Sequence, residues 1–337
     1  MMKNGEKYAV AVRRPDGEIE IKKDSYRGIT TKCALFRVPF IRGIFSFIES
    51  LSLGMNILNY SASFYEEEEE KGAQISEEEA ARQKKKEDLV MGVTMIFAVV
   101  LAVGIFMLLP TWIAGFFRRW ISGYLGIAVL EGVIRIAIFI GYVAGISLMK
   151  DIRRVFMYHG AEHKCINCIE HGLPLTVENV RRSSKEHKRC GTSFLLFVIV
   201  ISTVVVMFVR TDTVWLRMVS RILLLPVVTG ISYEFLKLAG RSDSRLVNAL
   251  SRPGLLLQGL TTREPDDDMI EVGIASVEAV FDWRAYLREN FPESSWSEEA
   301  ASDRQETETA SMTAAEAQEP VSGQTVENAA SACVCGE

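Results

Sequence analysis

The chain has 337 residues, 48% of them hydrophobic, and a formal charge of -5. Length alone would suggest two ordinary soluble domains, but the apolar excess lies in uncharged runs long enough to cross a bilayer, which excludes a purely soluble enzyme. Residues 289–337 hold 11 acidic residues against one basic residue, a net of -10, so the first 288 residues carry +5 and the acidic balance belongs to the tail.

In chain order, Tyr8 to Arg13 and Glu18 to Lys23 alternate apolar and polar residues around Pro15-Asp16-Gly17, which predicts a β-hairpin in an N-terminal region, residues 1–34. Residues 35–65 are apolar with Arg37, Arg42 and Glu49 interspersed; they predict an interfacial or re-entrant helix, with an ordinary amphipathic helix packed on the bundle as the alternative. Residues 66–88, with glutamate and lysine runs, read as a solvated charged linker or helix. Leu89 to Leu109 is uncharged over 21 residues, enough at 1.5 Å per residue for about 30 Å of hydrocarbon. Leu125 to Leu148 is interrupted by Glu131 and Arg135, four apart and able to pair along one helix face. These are transmembrane helices 1 and 2 of residues 89–148. Gly191 to Val209 and Val214 to Leu236 supply helices 3 and 4 within residues 191–240, the last carrying Arg217, Arg221 and Glu234.

A cytoplasmic segment, 241–291, and a disordered acidic tail, 292–337, complete the chain, and Cys333 and Cys335 in the tail have no assigned role. The expected fold class is mainly α: a polytopic helical membrane protein with about four transmembrane helices, a short N-terminal β-hairpin and a cytoplasmic helical loop. The first span starts 88 residues in, so no cleaved signal peptide is expected. Arg82, Lys84, Lys85 and Lys86 precede that span. Nine basic residues lie in the loop 149–190, from Lys150 to Arg189. The inside rule then predicts a multi-pass protein of the cell membrane with this loop and both termini cytoplasmic.

All four histidines, His159, His163, His171 and His187, fall within 29 residues of that loop, beside Cys165, Cys168 and Cys190. Clustered imidazoles and thiols in a reducing compartment argue for metal ligation rather than disulfides. His159-Gly160-Ala161-Glu162-His163 matches H-x-x-E-H, the inverted zinc-protease helix signature. Residues four apart on a helix lie about 5–6 Å apart at Cβ, so two imidazoles can reach one ion, with a carboxylate placed to take a proton from water. On a continuous helix Cys165 and Cys168 point about 120° and 180° away from His159, and Glu170 lies roughly 10 Å beyond His163. Further ligands are therefore expected from elsewhere, with His187 and Cys190 the best candidates. Gly172 and Pro174 should end the helix, and Thr176 can cap a second one.

The string Tyr158-His159-Gly160-Ala161-Glu162-His163-Lys164 resembles the YqhQ family of bacterial membrane proteins, domain of unknown function 1385. Leu175 to Arg181, Arg189 to Phe194, Thr261 to Asp267 and Ala9 to Gly17 carry further matches, and the resemblance covers roughly residues 7 to 285. It implies a metal-dependent membrane protein and favours His159, Glu162, His163, Cys168, Glu170, His187 and Cys190. The chain departs from the family pattern at Cys165, where threonine is expected, and at Lys188, where proline is expected.

The expected function is a zinc-dependent membrane hydrolase, peptidase-like, at the cytoplasmic membrane face. Zinc, or another divalent metal, would be held by His159, His163, His187 and Cys190, with Glu162 as general base. The alternative is a non-enzymatic scaffold or assembly factor in which the same ligands close a structural zinc site. Expected partners are the lipid bilayer and a protein substrate or membrane partner. Nucleic acid is not expected, because the basic residues at 181–189 lack interleaved aromatics.

Overall fold

The computed structural model describes residues 1–28, 36, 38–70, 77–121, 123–209, 213–242 and 244–292, so the acidic tail and the start of the 35–65 region lie outside the described residues. The chain divides into two compact units: one of Met1–Arg27, Val155–His187 and the stretch from Thr262, the other of Gly28–Arg154 and Lys188–Thr261.

In the first unit a three-stranded antiparallel sheet runs in order β1 (Met2–Asn4), β2 (Lys7–Arg13), β3 (Ile19–Ser25). The expected hairpin is β2–β3, with Arg13 opposite Ile19; β1 is an additional strand, joined through a second turn. Gly17 sits at φ +91 in the β2–β3 turn, a conformation glycine adopts without Cβ strain, and its amide donates to the Arg14 carbonyl at 2.9 Å. Four helices complete the unit: α5 (Lys150–Glu170), from Val155 onward, α6 (Val177–Arg182), α10 (Asp267–Glu278) and α11 (Trp283–Asn290). Helix α10 packs on β2 and α6. Met2, Cys165, Cys168, Ile169, Val180, Ile270, Val277, Trp283 and Leu287 form the core.

The second unit holds α1 (Ile41–Glu70), α2 (Glu77–Val103), α3 (Leu109–Phe116), α4 (Tyr124–Ile146), α7 (Gly191–Phe208), α8 (Val214–Ala239) and α9 (Arg245–Thr261). Helix α7 packs against α4, α8 and α9, and α1 packs against α8. Phe139, Val143, Leu196 and Leu257 form an apolar cluster where α4, α7 and α9 meet.

Among the described residues five helical stretches, rather than four, are long and apolar enough to cross a membrane by length and composition: Ile41–Phe64, Gly92–Arg119, Tyr124–Ile146, Gly191–Phe208 and Val219–Ala239. The additional one arises because Arg42 and Glu49 fall in the N-terminal part of α1 and leave an uncharged stretch beyond them. The span expected to stop at Leu109 continues as well. A π-helical turn, Gly104–Leu108, precedes Pro110, and its wider bonding pattern tolerates the missing proline N–H, so the helix runs on into α3 and a closing 3₁₀ turn, Phe117–Arg119.

Candidate metal centre

Helix α5 carries the H-x-x-E-H string, and from His159 to Ile169 every residue except Glu162 is buried. The helix ends where the sequence predicts: Gly172 adopts φ +75, and the Leu173 amide donates back to the Cys168 carbonyl at 3.1 Å. Thr176 then caps α6, its hydroxyl accepting from the Asn179 amide.

The His159 and His163 rings lie 4.4 Å apart, edge to face, and a ring nitrogen of each lies within 4.8 Å of one on the other. The His163 side chain is fully buried. Its Nδ1 is 2.7 Å from the Lys185 carbonyl, an acceptor only, so Nδ1 carries the proton and the lone pair resides on Nε2.

Neighbouring side chains on α5 hold the same segment by its carbonyls. Lys164 Nζ donates to Arg181 at 2.9 Å and Ser183 at 2.8 Å, and Asn167 Nδ2 donates to Ser184 at 2.6 Å and Glu186 at 2.9 Å. Clamped in this way, residues 181–186 deliver His187 to a position where its ring is 5.8 Å from that of His163 and its Nε2 is 3.2 Å from Glu170 Oε2. Glu170, too far along the helix to share an ion with both helical histidines, is thus the orienting carboxylate of His187.

The stretch 262–266 forms another wall. The Arg263 amide donates to the Phe156 carbonyl at 2.9 Å, and a Cβ on Gly160 would meet the Arg263 carbonyl oxygen at 2.1 Å. Glu264 pairs with Lys164 at 3.0 Å and Lys185 at 3.3 Å. Partial burial pushes its carboxyl upward, but the two ammonium groups outweigh this and hold it below the usual carboxylate range.

Glu162 is largely shielded, and its Oε1 pairs with the amino group of Met1. Cys165 and Cys168 lie in the apolar core; burial pushes both thiols up, Cys168 to about 11. His171 Nδ1 is 2.7 Å from the carbonyl of Asn167, one turn back on its own helix. Cys190 is the N-cap residue of α7, buried, with Sγ 3.0 Å from Thr192 Oγ1. It follows His187 by three residues, so the two Cα atoms are at most about 11 Å apart.

Of the expected residues, His159, His163 and His187 are therefore gathered beside the middle of α5, whereas Glu162 turns its carboxylate to the Met1 amino group. Lys164, Asn167 and Glu264 were not among them. A buried lysine and asparagine on an otherwise apolar helix face signal backbone carbonyls in need of donors, but the sequence does not say which carbonyls.

These features define a mainly helical chain with membrane-compatible helices and a buried imidazole cluster on a helix that shares a core with a small sheet. Residues 38–283 match the family described as Protein of unknown function (DUF1385), and the chain belongs to it. It is 37% identical over 284 residues, 84% of this chain and 89% of the relative, to the uncharacterized protein YqhQ of Bacillus subtilis (strain 168). No solved structure matches. The family's description names neither a metal nor a membrane, so that part of the expectation draws no support from it.

Proposed function

We propose that the protein is a zinc-dependent, peptidase-like hydrolase whose site faces the cytoplasmic side of a membrane. The observation that carries this reading is the pair of α5 imidazoles 4.4 Å apart with Glu162 between them in sequence, one imidazole already oriented by a backbone carbonyl. The donor set suits zinc, which takes neutral imidazole and thiolate in tetrahedral arrangements. His159 and His163 would hold the ion, with His187 or Cys190, three residues apart in the following segment, completing the set. Another divalent metal that accepts imidazole would be held by the same residues. When bound, zinc supplies Lewis acidity toward a carbonyl and toward water. Glu162 takes the proton from the attacking water and passes it to the leaving amine. Glu170 keeps His187 in one tautomer, and the Lys164 and Asn167 clamp keeps residues 181–187 from drifting away from α5.

A second reading, a closed structural zinc site in a membrane scaffold or assembly factor, is favoured by the burial of His163 at 0% and His187 at 5% exposure. One experiment separates the two. The full chain, purified in detergent, should carry about one zinc per molecule, and His163→Ala should lose it. Glu162→Gln should keep the metal. Membranes holding the wild-type chain should generate new protein N-termini, detected by mass spectrometry, that membranes holding Glu162→Gln do not. Identical termini in both membranes with zinc retained would favour the structural site, and absence of stoichiometric metal from the wild type would overturn both.

A further inference from the structure

The second unit contains a buried charge cluster that the metal site does not use. Glu131 and Arg135 lie one turn apart on α4 and Arg221 lies on α8, and none is more than 7% exposed. Arg135 Nη2 donates to Glu131 Oε1 at 2.9 Å, and Arg221 Nη2 pairs with that same oxygen. The Thr111 hydroxyl of α3 stands 2.9 Å from it and accepts from Arg221 Nη1 at 2.9 Å. Three donors from three helices therefore converge on one carboxylate oxygen.

The charges do not balance. Both guanidiniums remain protonated, and among the described residues every ion pair they make runs to Glu131, so the cluster carries a net +1. Arg135 is the central residue of the candidate span Tyr124–Ile146, where an uncompensated charge is most costly. A structural pair on α4 needs only one arginine; Arg221 adds the excess from another helix. The Nε atoms of Arg135 and Arg221 are both buried with no hydrogen-bond partner among the described residues. Guanidinium presents Nε–H and an Nη–H side by side as a fork that fits two oxygens of a carboxylate or phosphate. The cluster thus has an excess positive charge and buried N–H donors that an oxyanion would satisfy.

We propose that Arg135, Arg221 and Thr111 form a binding site for a small solute oxyanion, a carboxylate or phosphate group, inside the helix bundle. A lipid headgroup is a poorer fit at Arg135, which stands mid-span and roughly 15 Å from either bilayer surface, than at Arg221, the third residue of Val219–Ala239. Glu131 fixes the two guanidiniums and limits the affinity, since its charge opposes the ligand.

Equilibrium dialysis of the full chain in phosphatidylcholine nanodiscs against radiolabelled acetate, and separately against inorganic phosphate, tests the proposal. Saturable binding of about one equivalent of either probe is expected. It should be at least tenfold weaker in Arg221→Lys, which keeps the charge but loses the fork, and several-fold tighter in Glu131→Gln, which removes the competing carboxylate. Phosphatidylglycerol in the nanodisc should leave it unchanged. No saturable binding of either probe to the wild type overturns the site. Affinity within twofold of wild type in both variants overturns the residue assignment. Displacement by phosphatidylglycerol would assign the cluster to lipid and overturn the solute proposal.

Discussion

Asn167 and Lys164 show how single side chains can set the geometry of a site they do not enter. Asn167 supplies both amide hydrogens to carbonyls on either side of Lys185, whose own carbonyl orients His163. Asn167→Ala should therefore loosen the segment that carries His187. Because Ser184 and Glu186 are themselves exposed and water can replace part of the loss, the cost should be about 1–2 kcal/mol, read as a lowered melting midpoint of the detergent-solubilised protein. On the proposed zinc reading, affinity for the ion should fall about tenfold, as for other residues that orient a ligand, and an unchanged affinity would mean the clamp does not position the site. Cys165 and Cys168 make a different prediction. Burial raises both thiol pKa values, Cys168 to about 11, so at pH 8 neither is appreciably thiolate and neither faces solvent. Iodoacetamide should modify them only after unfolding; rapid native-state alkylation would show that the core around α5 opens. For the same reason Cys165 cannot report membrane sidedness, since a buried thiol stays unlabelled from either face.

At the scale of elements, two glycines allow close approaches that a Cβ would block. Gly160 admits the Arg263 carbonyl against α5, so Gly160→Ala should displace residues 262–266. Melting midpoint and zinc content should fall together, by an amount typical of overpacking, about 1–3 kcal/mol in stability. Retention of both would show that the stretch can shift without disturbing the histidines. Gly132 plays the same part between α4 and α7, where a Cβ would stand 2.1 Å from Thr203 Cγ2. Gly132→Ala should destabilise the second unit by a similar amount and Thr203→Ala should restore most of it; additive losses would exclude direct contact as the cause. The elements differ in how far the sequence revealed them. The β2–β3 hairpin, the end of α5 at Gly172 and the Thr176 cap were legible because turn and cap chemistry is local. The pairing of Glu131 with Arg135 was legible from its i, i+4 spacing. Arg221 and Thr111, which converge on the same oxygen, were not, because they lie 90 and 20 residues from Glu131 and only the packing of α3, α4 and α8 brings them together. The π turn ahead of Pro110 escaped notice for a related reason: proline in a sequence signals a helix end unless the preceding turn widens. At the candidate metal centre the i, i+4 histidines were legible from helix periodicity, whereas the position of His187 depends on carbonyls that leave no mark in the sequence.

At the scale of the whole molecule, the first unit restricts how the chain can cross a membrane. Met2 packs in one core with Cys165, Ile169, Ile270 and Leu287, so in a chain whose apolar helices span a bilayer, residues 1–27, 155–187 and the stretch from Thr262 would share one side of it. The chain must then cross an even number of times between residues 27 and 155, and again between 187 and 262. Among the described residues the second interval holds two candidate spans and the first holds three, so the shared core predicts that one of those three does not cross. Ile41–Phe64 is the least apolar of the five. Its first turns are tied to α8 by the Arg42–Glu234 ion pair and to α7 by Phe47, whose ring is 5.3 Å from that of Phe194. An interfacial or re-entrant course for this helix, with Arg42 and Glu49 in its N-terminal part, would make the prediction four crossings rather than five. On the inside rule, the nine basic residues in the loop 149–190 predict a cytoplasmic first unit, an expectation that labelling can test. Arg182 and Asp16 are both exposed in that unit and serve as probes in a chain whose Cys33, Cys333 and Cys335 are replaced by serine. Arg182→Cys and Asp16→Cys should each resist a membrane-impermeant maleimide in intact cells and react once the membrane is permeabilised. Reaction of both in intact cells would reverse the orientation while keeping the four crossings; reaction of one alone would mean that the hairpin and α5 lie on opposite sides, which five crossings require and the shared core forbids.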